Sequence, residues 1–190
     1  MKTNTRPLVF GALCIALSFA LSFIRLFSMP MGGSVTLCSM LPLMLYAYRY
    51  GLRRGLVAGL AYGLLQLVQK PELVHWAQLL LDYPLAFAAL GLAALTRPPE
   101  RRGDSGAPPA PGERAHGWRL PLGVLLAGAA RTLCHVVSGA VFFGAYAPEG
   151  VSAWWYSLSY NGSYLAVDTL LCLLVGAVPA VRRVFFRYAQ

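Results

Sequence analysis

Apolar residues fall in six blocks along this chain, at Leu8–Phe27, Leu37–Tyr50, Leu56–Val68, Val74–Leu95, Leu120–Tyr146 and Ser163–Val181. A helix needs about 20 mostly apolar residues to cross a bilayer. The first, fourth, fifth and sixth blocks meet that length. The second and third are shorter, which predicts tilted helices or helices that extend through Ser34–Ser39 and Gly51–Gly55. The pattern predicts an all-α membrane protein with six transmembrane helices, forming one integral-membrane domain over residues 1–190.

Four ionisable residues interrupt these blocks: Asp82, Arg131, His135 and Asp168. A charge near a bilayer centre costs roughly 2.5–3.5 kcal/mol on insertion scales, so such residues face a polar interior and mark a pocket or a path. The composition agrees with a membrane protein, at 57% hydrophobic and 12% charged, against about 25% charged in a soluble domain.

A net charge of +9 raises the question of nucleic acid, and the placement of the charge answers it. With both termini cytoplasmic, the inner segments hold Lys2, Arg6, Arg49, Arg53, Arg54, Arg97, Arg101, Arg102, Arg114, Arg119, Arg182, Arg183 and Arg187. Lys70 then lies outside, Arg25 at the outer end of the first helix and Arg131 within the membrane. That bias is the positive-inside rule, which fixes the orientation and leaves no nucleic-acid partner to invoke. The first block has no small-x-small cleavage site ahead of a soluble domain, so it reads as a retained helix. Cys14, Cys38, Cys134 and Cys172 lack CxxC spacing and read as buried free thiols.

One segment, RPPERRGDSGAPPAPGERAHGW from Arg97 to Trp118, is rich in proline, glycine and charge. It predicts a flexible cytoplasmic linker at 97–118 between four helices and two. Two outer connections differ from it. Ser28–Ser39 contains glycines, and Ala147–Tyr160 is dense in aromatics. Trp154 and Trp155 in the second read as interfacial anchors, while Tyr156 and Tyr160 run directly into Asn161.

Helical spacing gathers the polar residues. His75, Gln78 and Asp82 fall on one face of the fourth helix; Arg131, His135, Gly139 and Phe143 recur every four residues on the fifth; Tyr160, Tyr164 and Asp168 do so on the sixth. Asp82, His135 and Asp168 lie within two to three turns of the outer ends at about 1.5 Å per residue, and are expected to converge on an outward-open cavity, with Arg131 about a turn deeper. A carboxylate, an imidazole, an amide and several rings suit a flat cationic molecule: rings attract a cation through their quadrupole, and the carboxylate supplies a counter-charge. Arg131 and Asp168 admit another reading, as a pair that neutralises itself between helices. No HExxH, GxSxG or P-loop occurs, so no enzyme, metal or cofactor chemistry is expected of this chain, and any ATP would be used by a partner. Ala12, Ala16 and Ala20 place small residues at every fourth position of the first helix, a spacing that lets another helix approach closely.

The strings MPMGGSVTLCSMLPL, AQLLLDYPLAFAALG, HVVSGAVFFGAYAPEG and YSLSYNGSY, in this order and spacing, closely resemble the thiamine-specific substrate-binding subunit (S-component) of energy-coupling-factor transporters. The resemblance covers nearly the whole chain outside the linker. It implies a six-helix subunit of a bacterial cell membrane that binds thiamine from outside, has no ATPase of its own, and docks on a transmembrane coupling subunit with two ATPase subunits. It implies ligand contacts at Asp82 and Tyr83 of the acidic-Tyr-Pro motif, at His135 and Gly139, at the stacking position Phe143, and at Tyr156 and Asn161. It also implies a lid around Gly32–Thr36 and docking of the coupling subunit on Ala16 and Ala20, with Ala12 one repeat earlier. A thiamine precursor or another cationic heterocycle is the alternative ligand, and a polytopic membrane enzyme using His135 and an Asp is the alternative class.

Overall fold

The computed structural model of the protein describes residues 5–69, 73–98 and 118–188. Lys70 and His116, and the linker read at 97–118 apart from its ends, lie outside the described residues. The chain is an all-α membrane protein with one small hairpin. Helix α1 spans Arg6–Ser22, the hairpin strands β1 and β2 span Arg25–Ser28 and Ser34–Thr36, and α2 and α3 span Leu41–Tyr50 and Leu52–Gln66. Helix α4 runs over Trp76–Thr96; α5 (Arg119–Phe142), α6 (Ala153–Ala177) and α7 (Pro179–Tyr188) complete it. Among the described residues, α4, α5 and α6 are long and apolar enough to cross a membrane, and α1 is a shorter apolar helix.

The second apolar block meets its length problem with extended backbone. At about 1.5 Å per residue, the 10 residues of α2 fall well short of a hydrocarbon core about 30 Å thick. Val35, Thr36, Cys38, Ser39 and Met40, all buried, carry the chain further. Non-helical backbone is tolerated at such depth only where protein partners satisfy it. Here β1 pairs antiparallel with β2 (Arg25 opposite Thr36, Ser28 opposite Ser34, with an irregularity between Arg25 and Phe27), and the Leu37 N–H donates to the Ile24 carbonyl at 3.0 Å. The first block thus ends as helix at Ser22, and Arg25 belongs to a strand rather than to the outer end of a helix.

Close backbone contact fixes α3 against α4. Gly55, Gly59 and Gly63 repeat at four-residue spacing. A Cβ on Gly59 would stand 2.2 Å from the Phe87 carbonyl oxygen, and one on Gly63 would stand 2.6 Å from that of Tyr83. Such small-residue seams let membrane helices pack at backbone distance. This seam sets the height and rotation of the Asp82–Tyr83 segment. The buried core, centred on Met40, Leu43, Met44, Tyr62 and Leu90, lies among α2, α3 and α4.

The sixth block differs most from its expectation. Helix α6 starts at Ala153, ten residues before the block, and its N-cap Ser152 accepts from the Trp155 N–H at 3.2 Å. The polar stretch SLSYNGSY breaks the apolar pattern because Ser157, Asn161 and Tyr164 turn inward and are buried. Pro179 then ends α6 and starts α7, whose Phe185 meets Phe10 edge-on at 5.0 Å.

Candidate functional site

Proline shapes the segment that carries the cavity's carboxylate. Pro84 has no N–H to donate within a helix and its ring collides with the preceding turn. Helix α4 absorbs it by widening to a π-helical stretch over Leu81–Leu85; such bulges recur at functional sites because they re-aim side chains. Asp82 and Tyr83 sit on this stretch and both line a cavity of about 290 Å³, at the small end of the usual range for small-molecule sites.

Asp82 is held from two helices. Its Oδ2 accepts from Gln78 Nε2 at 2.7 Å, and its Oδ1 accepts from His135 Nδ1 at 3.1 Å. Gln78, 1% exposed, also takes the Val74 N–H on its Oε1 at 3.2 Å. With the Nδ1 proton committed to the carboxylate, His135 keeps Nε2, buried and without a protein partner, as a hydrogen-bond acceptor in its neutral form.

Asn161 joins α5 to α6 behind this pair. Its Nδ2 donates to the His135 carbonyl at 3.2 Å and the Ser157 carbonyl at 3.1 Å, and its Oδ1 accepts from the Tyr164 hydroxyl at 3.1 Å. Gly139 makes that junction possible, since a Cβ there would lie 2.2 Å from Ser157 Oγ and 2.8 Å from Asn161 Nδ2. Overpacking of this kind costs about 1–3 kcal/mol. Gly139→Ala is therefore expected to lower the stability of the purified protein by that amount and to weaken ligand binding with it. An unshifted thermal melt would mean that the two helices are looser than described.

Seven residues read from the sequence line this one cavity: Asp82, Tyr83, His135, Gly139, Phe143, Tyr156 and Asn161. Phe143 follows the last turn of α5, its N–H donating to the Gly139 carbonyl at 3.0 Å. Tyr156 and Tyr160 stack at 6.4 Å between centroids.

Residues 8–185 match the family described as thiamine transporter protein. The chain belongs to this family. Its relatives include the thiamine transporter ThiT of Bacillus subtilis (strain 168), 38% identical over 152 residues, covering 78% of this chain and 75% of that protein. The thiamine transporter ThiT of Lacticaseibacillus paracasei (strain ATCC 334) is 32% identical over 143 residues, covering 73% and 69%. A solved structure of ThiT from Listeria monocytogenes superposes with a TM-score of 0.75 at 25% identity, covering 95% of this chain and 96% of that one. The family is one of transport proteins, not enzymes, and this member is a multi-pass membrane protein.

Within this family fold, His75 and Asp168 fall outside the cavity toward which their helical stripes pointed. His75 is the N-cap of α4, accepting from the Ala77 N–H through Nδ1 at 3.1 Å, and its ring stacks on Phe142 at 5.1 Å. A helix that starts at Trp76 leaves His75 in extended backbone, off the face of Gln78 and Asp82. Asp168 does not line the main cavity: its Oδ2 lies 3.6 Å from Arg131 Nη1, so these two form the self-neutralising pair. Trp154 and Trp155, read as interfacial anchors, are exposed in the first turn of α6. Conversely, Arg131 does line the cavity, its guanidinium 4.5 Å from the Phe87 ring centroid.

Sequence reasoning missed Arg25, Gln66 and Gln69, all of which line the cavity. Two glutamines three residues apart at the polar end of an apolar helix were an available signal. Gln69 donates to Ser22 Oγ at 2.6 Å, and Gln66 donates to the Tyr62 hydroxyl. Arg25 gave no signal, because its position depends on a strand that hydropathy alone does not predict.

Proposed function

We propose that this chain is the thiamine-binding subunit of an energy-coupling-factor uptake transporter in a bacterial cell membrane, capturing thiamine from outside with both termini in the cytoplasm. The observation that carries the reading is Asp82. It is the one carboxylate lining the cavity among the described residues; it is hydrogen-bonded to the His135 imidazole and shares the lining with the rings of Tyr83, Phe143 and Tyr156. Thiamine joins an aminopyrimidine to a permanently cationic thiazolium that carries a hydroxyethyl tail. Asp82 balances the cation, Phe143 and Tyr156 offer ring faces, and His135 Nε2 and the remaining Asn161 Oδ1 lone pair accept from the pyrimidine edge. Tyr83 and the Gly139 backbone close the walls. Arg25, Gln66 and Gln69 offer donors for the hydroxyl tail.

Transport needs partners in this reading: a transmembrane coupling subunit and two ATPase subunits that use the ATP, with no cofactor on this chain. Ala12, Ala16 and Ala20 all lie on the outward face of α1, exposed among Leu13 and Leu17, which makes them available to a partner helix. Residues 1–190 act as one domain, the 97–118 segment serving as its cytoplasmic linker. Ala16→Leu with Ala20→Leu is expected to leave thiamine binding unchanged and to cut uptake at least fivefold when the energising subunits are co-expressed. Loss of binding in the same variant would mean that the stripe packs internally.

The function itself is tested by competition. Thiamine is expected to displace bound label more strongly than its isolated pyrimidine or thiazole halves, because each half engages only part of the lining. A pyrimidine fragment that competes better than thiamine would make the precursor the ligand.

A further inference from the structure

The stripe Tyr160, Tyr164 and Asp168 runs along α6, yet two of its three members spend their polar atoms on the hairpin rather than on the cavity. At the tip, the Tyr160 hydroxyl donates to the Pro30 carbonyl and accepts from the Gly33 N–H at 3.3 Å. One phenol thereby spans both sides of the turn. In the middle, the Tyr164 ring is seated under Gly33, where a Cβ would approach Tyr164 Cε1 to 2.8 Å, and packs on Val35. At the base, Asp168 Oδ1 accepts from the Thr36 N–H at 3.2 Å and from the Thr36 hydroxyl at 3.3 Å.

The hairpin needs such an external hold. Two strands of four and three residues are at best marginal alone, and every β1 residue is exposed. Arg25, Gly32, Gly33 and Ser34 form one wall of the cavity, so whatever holds the hairpin governs access to that wall. The two ends of the hold differ in strength. The base is a charge-assisted bond to a carboxylate 2% exposed and paired with Arg131. The tip is a neutral phenol bond, and charge-assisted bonds are about twice as strong.

We infer that Tyr160, Tyr164 and Asp168 form a clasp holding the hairpin over the cavity, hinged at Asp168–Thr36 and released at the Tyr160 hydroxyl. Tyr160 is a positioning residue in this scheme: it acts on the ligand through the hairpin and sets the dissociation rate. The clasp rests on the reading of the cavity as a ligand site, but its first test needs no ligand.

That test is hydrogen exchange on the full chain in detergent without thiamine, comparing wild type with Tyr160→Phe. Loss of one neutral hydrogen-bonding group shifts a local opening equilibrium by roughly two- to twelve-fold. Amides of residues 25–36 are expected to exchange faster by that factor while those of α5 stay unchanged, and thiamine dissociation is expected to quicken by a similar factor. Gly33→Ala, which wedges the tip against Tyr164, is expected to do the same. Unchanged exchange at 25–36 in both variants, or acceleration spread evenly over the helices, would overturn the clasp. So would faster thiamine release with unchanged hairpin exchange, which would make Tyr160 a direct contact. Failure of the wild type to bind thiamine would count against the site reading alone, since the exchange result stands without ligand.

Discussion

Asp82→Ala is expected to weaken thiamine binding by roughly 10- to 150-fold. That range is the cost of about 1.5–3 kcal/mol for losing hydrogen bonding to a charged group, at 1.4 kcal/mol for each factor of ten. Two effects act together. The ligand loses its counter-charge, and Gln78 Nε2 and His135 Nδ1 both lose the acceptor that orients them. Asp82→Asn separates these effects, because it keeps the volume and one acceptor oxygen while removing the charge. If charge dominates, Asn falls close to Ala; if orientation dominates, Asn falls close to wild type. An unchanged dissociation constant in Asp82→Ala would remove this residue from the site.

Arg131→Met is expected to destabilise the protein by about 3–5 kcal/mol, the usual consequence of leaving one partner of a buried ion pair alone. Arg131 is 9% exposed and Asp168 2%, and no other cation is described in contact with that carboxylate. The double variant Arg131→Met with Asp168→Leu is expected to recover most of the loss, since replacing both members of a buried pair by apolar groups is often close to neutral. The comparison is made by chemical or thermal unfolding in detergent. Single and double variants of equal stability would mean that the pair is solvated. The recovered double variant still lacks the Thr36 tether, so its hairpin is expected to stay loose even as its helices regain stability.

Legibility in the sequence followed the range of the forces involved. The helices were readable because apolar length and charge bias are local and strong, and so were the residues carried by the DYP, HxxxG and YNGSY strings. What escaped depended on long-range pairing. The extended crossing at Ser34–Met40 satisfies its backbone through β1 and Asp168, and nothing local announces either partner. Arg25 followed from that strand and was lost with it. The inward turn of Ser157 and Asn161 masked the start of α6, since polar residues facing a cavity look in sequence like a loop. His75 was misplaced by a single residue of helix boundary, enough to rotate it off the Asp82 face. The fate of Asp168 turned on distance: spacing put it on the right stripe, and only the 3.6 Å approach of Arg131 assigned it to the pair rather than to the ligand.

The described tryptophans Trp76, Trp118, Trp154 and Trp155 are all exposed and none lines the cavity, so intrinsic fluorescence is a poor reporter of occupancy. The most direct measurement is equilibrium dialysis of the detergent-purified protein against labelled thiamine, alongside Asp82→Ala. Saturable binding of one thiamine per chain at nanomolar concentration, weakened at least tenfold in the variant, is the predicted result. No retained thiamine at micromolar concentration, or equal retention by both proteins, would contradict the account.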